Sequence, residues 1–218
     1  MNSMNHFYLI FTYSFASLFA MINPIGMSAV FLGMTKDYTA SKRHSMAYRV
    51  ALYGAIFVIS AFFVGPYVLK FFGISVAYIE VAGGALVFYT AWGMLETKPK
   101  ISSREEQEAL EHTDITFFPL TMPITAGAGT LAVILTLASR LANPSSFDLL
   151  GYISTVSAII VVFVVVWFCY RFADSIFNKL GITGTNVVTQ LSAFILLAIS
   201  VSVMWEGFLG LILPIIHQ

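Results

Sequence analysis

Residues 7–35 read FYLIFTYSFASLFAMINPIGMSAVFLGMT, a run with no charged side chain and with Asn23-Pro24-Ile25-Gly26 past its middle. About 20 helical residues cross a hydrocarbon core about 30 Å thick, so the run spans a membrane with length to spare. Proline removes an amide donor and clashes with the carbonyl one turn earlier, and glycine tolerates backbone angles that a helix does not use. A membrane helix interrupted at depth is therefore expected here. Working outward, further apolar runs lie at about 45–71, 75–95, 116–139, 148–170 and 187–215. They are continuously apolar rather than alternating, and lipid has no water for unpaired backbone groups, so they read as helices and not as barrel strands. The expected fold is all-α: a polytopic membrane protein with six transmembrane helices. The segment from Met1 to His6 has no Lys or Arg, and the apolar run behind it exceeds a signal-peptide core, so a cleavable signal is not expected.

Composition agrees with this. The 218 residues are 58% hydrophobic and 10% charged, with a mean hydropathy of +0.85. A soluble domain carries about 25% charged residues, so a water-soluble enzyme, a disordered chain and a nucleic-acid binder are excluded. Cys169 is the single cysteine, which excludes an intramolecular disulfide. The four histidines (His6, His44, His112, His217) lie at termini or in loops, so no metal site and no cofactor are expected. HExxH, GxSxG and a Cys/His pair are all missing, which argues against an enzyme.

The charges are asymmetric. Lys36, Lys42, Arg43, Arg49, Lys98, Lys100, Arg104, Arg171 and Lys179 follow spans 1, 3 and 5, whereas only Lys70 and Arg140 lie on the other side. Basic loops stay in the cytoplasm, so both termini are expected outside. The one sizeable loop, 96–115, carries Ser103-Arg104-Glu105-Glu106 with capping-box spacing, and a short helix from Ser103 to about His112 is expected there.

The spans also repeat. Pro24 precedes Pro123 of Pro123-Ile124-Thr125-Ala126-Gly127-Ala128-Gly129 by 99 positions, and Phe72-Gly73-Ile74-Ser75 precedes Leu180-Gly181-Ile182-Thr183 by 108. Three spans per copy is an odd number, so the second copy enters from the opposite side. The expectation is one membrane domain over 1–218, built as a 3+3 inverted repeat: copy one over about 7–95, copy two over about 116–215, and helices 1 and 4 broken. Each break starts a half-helix, near Gly26 and near Gly129, whose unpaired amides suit an anionic group, while the carbonyls before it suit a cation. Asn23, Pro24, Ile25, Gly26 and Ser28 in one half, and Pro123, Thr125, Ala126, Gly127, Ala128, Gly129 and Thr130 in the other, are the candidate binding residues. Thr121 adds a further hydroxyl. Together they suit a small, net-neutral solute, such as a zwitterion. Glu80 and Glu206 lie near the outer ends of spans 3 and 6, close enough to the interface to be hydrated, and are the candidates for coupling to a proton or another cation. Ala82-Gly83-Gly84-Ala85 reads as a close helix–helix contact.

At Asn23-Pro24-Ile25-Gly26 with Phe31-Leu32, Phe72-Gly73-Ile74-Ser75 with Ala82-Gly83-Gly84, Pro119-Leu120-Thr121-Met122-Pro123 with Ala126-Gly127-Ala128-Gly129, and Glu206-Gly207, the chain resembles the MarC-type family of six-helix integral membrane proteins. The resemblance covers nearly the whole chain, and the family includes transporters of small neutral amino acids. It implies a bacterial or archaeal cytoplasmic-membrane protein (a cell inner membrane in Gram-negative bacteria). It also implies movement of glycine- or alanine-like amino acids, driven by an ion gradient, as uptake or efflux. The family pattern has Gly-Pro-Gly where this chain has Gly127-Ala128-Gly129, which implies a gentler second break. It has Arg at the positions of Glu80 and Gln190, which implies that any role of those arginines is altered here. The alternatives to a carrier are a membrane channel and a non-transporting assembly or scaffold subunit.

Overall fold

The computed structural model describes residues 3–96, 115–141 and 148–216. The expected helix at 103–112 lies outside them. Eight helices make up the described chain: α1 Ser3–Ile22, α2 Pro24–Met34, α3 Ala40–Phe72, α4 Val76–Glu96, α5 Thr116–Thr125, α6 Ala128–Leu141, α7 Leu149–Arg171 and α8 Ala173–Ile216. Five stretches are long and apolar enough to cross a membrane as single spans: Ser3–Met34, Ala40–Phe72, Val76–Leu95, Leu149–Arg171 and Asn186–Leu213. The pair α5 and α6, bent by 63°, supplies a sixth. The all-helical, multi-span expectation holds.

The helix ends follow from local sequence. Thr39 caps α3 by accepting from the Lys42 amide, and Gly73 ends it at φ 67°, where the Ile74 amide reaches back to the Leu69 carbonyl at 2.9 Å. Gly181, the counterpart of Gly73 in the short repeat, also has a positive φ of 66° and kinks α8 before its membrane-length portion. Its ψ differs (−176° against 22°), so the two glycines share the left-handed φ but not the whole turn. Asp148 caps α7 by accepting from the Gly151 amide at 2.9 Å and takes a second bond from His6 at 2.7 Å. The Gly151 amide holds the Asp148 carboxyl below its ordinary range, against partial desolvation, and His6 adds to the effect. Asp148→Ala is expected to cost about 1 kcal/mol, the usual worth of such a cap, while Asp148→Asn keeps most of it. Denaturation midpoints of the two variants check this, and equal midpoints would contradict it.

Helix α7 packs against α1, α2 and α3. Glycine and aromatic residues set these approaches. A Cβ on Gly54 would lie 2.4 Å from the Phe163 ring, and Phe31 stacks on Tyr170 with centroids 4.6 Å apart. The core around them is aliphatic, with Leu18, Ile22, Val50, Val58, Ile159 and Val162 fully buried. Elsewhere α3 packs on α5 and α6, α4 on α6, and α2 on the last span. The closest union is α4 with α8. Gly84 lies against Ser200 and Met204, and Gly207 against Ala77 and Val81, so small residues on both helices let the backbones touch. Gly83, on the other flank of α4, meets Ala132 and the Ala128 carbonyl. The expected helix contact at Ala82–Ala85 is thus a double one. Outward faces are large and apolar, with Tyr67, Phe71, Leu86, Phe194 and Ile195 exposed, as a lipid-facing surface requires.

Side chains tie the ends of the bundle together. Arg43, after span 1, pairs with Asp174, after span 5, at one end. His6 with Asp148, and Arg140 with Glu206 and Tyr13, lie at the end that carries both termini. Residues that follow spans 1 and 5 thus meet at one end of the bundle, and residues that follow span 4 or precede spans 1 and 5 at the other.

Candidate functional site

The first break is a single residue. Asn23 adopts the left-handed conformation (φ 47°, ψ 63°), and its Oδ1 accepts from the Gly26 amide at 3.2 Å, capping α2 with Pro24 at its start. Asparagine is among the few non-glycine residues that occupy this region readily. The ladder is bridged on either side, by Asn23 N to Phe19 O and Met27 N to Asn23 O, both 2.9 Å. Ser3–Met34 therefore still crosses as one span.

The second break is the sharp one, with 63° between α5 and α6. The bend falls between the two helices, at Ala126 (φ −116°, ψ 60°) and Gly127, and α5 is itself distorted. Phe118 and Met122, the residues before Pro119 and Pro123, are extended (φ −122°, ψ 128° and φ −118°, ψ 126°), as a following proline ring demands. The first segment is accordingly wound with i→i−5 bonds, such as Ala126 N to Thr121 O at 2.9 Å. Gly127 then passes so near the Pro123 carbonyl that a Cβ would lie 2.4 Å from it.

These breaks free carbonyls, and hydroxyls answer them. Thr121 donates to Thr116 O at 2.8 Å, Thr125 to Leu120 O at 2.7 Å, and Ser28 to Ile25 O at 2.5 Å. The Thr125 hydroxyl also meets Tyr170 at 2.9 Å. The hydroxyls that look free in the sequence are engaged with backbone.

The two breaks are neighbours. A Cβ on Gly129 would lie 2.7 Å from Met21 Sδ and 2.1 Å from Val87, so Met21, just before the first break, rests on the start of α6. Pro24, Gly26, Ser28, Thr125, Ala126, Gly129 and Thr130 are buried, and Asn23 and Gly127 half-buried. Ile25, Pro123 and Ala128 face outward and do not join them. Beside Gly26 stands Ser192 of the last span, whose Cβ lies 2.8 Å from the point a Gly26 Cβ would occupy. Two buried polar atoms have no hydrogen-bond partner there and one turn away in sequence: Asn23 Nδ2 and Thr189 Oγ1. An unsatisfied buried donor costs roughly 1–3 kcal/mol and demands an explanation.

A cavity of about 360 Å³ opens one turn from the breaks, toward the end that carries the termini. Ala20 and Val133, each about one turn from Asn23 and Gly129, line it, as do Ser17, Thr136, Glu80 and Glu206. The structure thus brings the two candidate coupling carboxylates onto one cavity, while the break residues lie beyond its lining. Glu80 is largely covered by α6 and reaches the cavity. It is 8% exposed, and its Oε1 accepts from Thr136 at 2.7 Å. Glu206 is exposed and pairs with Arg140 at 3.2 Å, and Arg140 also donates to the Tyr13 hydroxyl at 2.8 Å. Sequence reasoning missed Thr136, Arg140 and Tyr13, which only tertiary packing assembles.

Comparison with known proteins covers nearly the whole chain. The profile described as MarC family integral membrane protein matches residues 8–212. The chain is 34% identical over 202 residues to the UPF0056 membrane protein YvbG of Bacillus subtilis, covering 90% of this chain and 93% of that one. It is 30% identical over 203 residues to the UPF0056 inner membrane protein MarC of Salmonella paratyphi A, covering 89% and 92%. To the UPF0056 membrane protein MJ1677 of Methanocaldococcus jannaschii it is 28% identical over 205 residues, covering 93% and 98%. No solved structure matches. With its broken spans, its glycine-mediated helix contacts and this coverage, the chain belongs to the MarC family of integral membrane proteins.

Proposed function

We propose that this protein is a secondary transporter of small, net-neutral amino acids of the glycine and alanine class, coupled to a proton or sodium gradient. The observation that carries the reading is the buried Asn23 amide nitrogen, an unpaired donor at the start of α2 and beside the second break. A carboxylate arriving there would receive that donor together with the positive end of a helix dipole. Residues of small volume, Gly26 and Ser192, stand beside the point and favour a ligand with a short side chain.

The inverted repeat is part of the same proposal, and the packing supports it. Exchanging spans 1, 2, 3 with 4, 5, 6 turns the contact of spans 1 and 5 into that of 4 and 2, and the contact of 3 and 4 into that of 6 and 1; all four pairs pack. The pairs that map onto themselves, 3 with 6 and 2 with 5, pack as well. Two halves of this kind can rock about a fixed central site. The nine-to-two asymmetry of basic residues assigns the terminal end, with its cavity, to the outside of a cytoplasmic membrane.

Proteoliposomes given labelled glycine, alanine or serine under an imposed proton or sodium gradient test the proposal. Saturable flux is expected, and its absence for all three would contradict it. Flux at single-channel rates would favour a channel instead, and a fixed copurifying partner without flux would favour a scaffold subunit. Replacing Pro24 or Pro123 by Ala is expected to lower the flux while the protein still inserts and folds. Normal flux in both variants would remove the breaks from the mechanism.

A further inference from the structure

The cavity toward the terminal end holds an unpaired carboxyl. Among the described residues three ionisable side chains meet around it: Glu80 and Glu206 in its lining, and Arg140, bound to two of the lining residues. Arg140 is matched to Glu206, which leaves the Glu80 carboxyl without a basic partner. That carboxyl is more than nine-tenths buried in a membrane-spanning helix. Its Oε1 accepts a hydrogen bond from Thr136, and its only polar partner among the described residues is that hydroxyl, so Oε2 has none. Thr136 also donates to the Ala132 carbonyl at 2.8 Å, so its single hydrogen is shared and Glu80 is only partly satisfied. The charged groups nearest in the lining pair with each other, and among the described residues no basic side chain forms an ion pair with Glu80. A carboxyl held in this way inside a bilayer carries its charge only beside a counter-charge, which would here come from outside the protein. The cavity supplies the space, and small residues, Ala16, Ser17 and Ala20, form its α1 wall.

We infer that Glu80 is a binding site for one small monovalent cationic group that enters this cavity: the ammonium of an amino acid or a free alkali cation. The two share size and charge, and the cavity's unpaired carboxyl matches either. Thr136 acts as a positioning residue that fixes the carboxylate, and the Arg140–Glu206–Tyr13 cluster covers the entrance. Only the assignment of the cation to a substrate rests on the transporter reading; the binding site itself does not.

The test is therefore a binding measurement, separate from flux. Thermal unfolding of the purified protein is followed with methylammonium, glycine or sodium, against choline at the same ionic strength. At about 100 times its Kd, a ligand raises the midpoint by roughly 5 °C or more for a chain of this size. The expected result is a rise in the wild-type protein that Glu80→Gln abolishes. A rise with methylammonium and glycine identifies the substrate's ammonium, and a rise with sodium alone identifies a coupling cation. No rise with any of the three, or an undiminished rise in Glu80→Gln, overturns the site. Should Glu80→Gln not fold, the wild-type protein serves: labelling of Glu80 by a hydrophobic carbodiimide, read by mass spectrometry, must fall as the effective cation is added. Unchanged labelling overturns the site equally. Absent flux alongside intact cation binding would remove the transporter reading and leave this site standing.

Discussion

Gly207→Val is expected to abolish folded protein, whereas Gly33→Val is tolerated. A Cβ at 207 would lie 2.8 Å from the Ala77 carbonyl oxygen and 2.9 Å from the Val81 amide nitrogen, backbone atoms of α4 that cannot rotate aside. Valine adds two methyl groups beyond that. The reciprocal glycine, Gly84, faces Ser200 O at 3.0 Å and Met204 N at 3.1 Å, so the two helices meet backbone to backbone along two turns. Lipid tails are as apolar as a leucine side chain, so close packing rather than water exclusion holds this pair together. Forcing α4 and α8 apart would separate the closest union in the bundle and exceed the roughly 1–3 kcal/mol of ordinary overpacking. Gly33 has nothing within 4 Å of its Cβ position and serves as the control. The yield of monodisperse protein in detergent, with its unfolding midpoint, decides the matter. Equal yields and midpoints for the two variants would show that α4 and α8 do not meet in this way.

The second large effect is on transport. Asn23→Gly and Asn23→Asp are both expected to lower amino acid flux by about tenfold or more, the equivalent of about 1.4 kcal/mol, while leaving the fold intact. Glycine accepts the left-handed backbone without strain and caps a helix nearly as well, at a cost of a few tenths of a kcal/mol. Aspartate keeps the acceptor that the Gly26 amide uses and tolerates the same conformation. Both variants remove Nδ2, the donor left unpaired beside the breaks. Initial flux rates at equal protein incorporation, with unfolding midpoints as the control, check this. Normal flux in both variants would place the substrate elsewhere, and loss of fold in both would make Asn23 a purely structural cap.

Much of the architecture was legible because membrane spans are long, continuous signals. The Asn23-Pro24 break was legible too, since few residues take a left-handed turn and a proline follows at once. The second break lies within the 123–129 cluster, as the sequence indicates. The winding of α5 ahead of it was not foreseen: Phe118 and Met122 are held extended by the prolines that follow them. That signal was present in the sequence as two X-Pro steps four residues apart. That the hydroxyls of Thr121 and Thr125 bond to backbone carbonyls was not legible, because an i→i−5 winding is not visible in a pattern of apolar residues. The burial of Glu80 was hidden for a different reason. Its depth along α4 is readable, but whether water reaches it depends on α6, which crosses above it and is more than fifty positions away in sequence.

Counterflow tests the central claim most directly. Proteoliposomes loaded with unlabelled glycine and diluted into a trace of labelled glycine are predicted to accumulate label transiently. Asn23→Asp vesicles should accumulate at least about tenfold less. Label that only equilibrates passively, or equal accumulation by the variant, would contradict a carrier built around the two breaks.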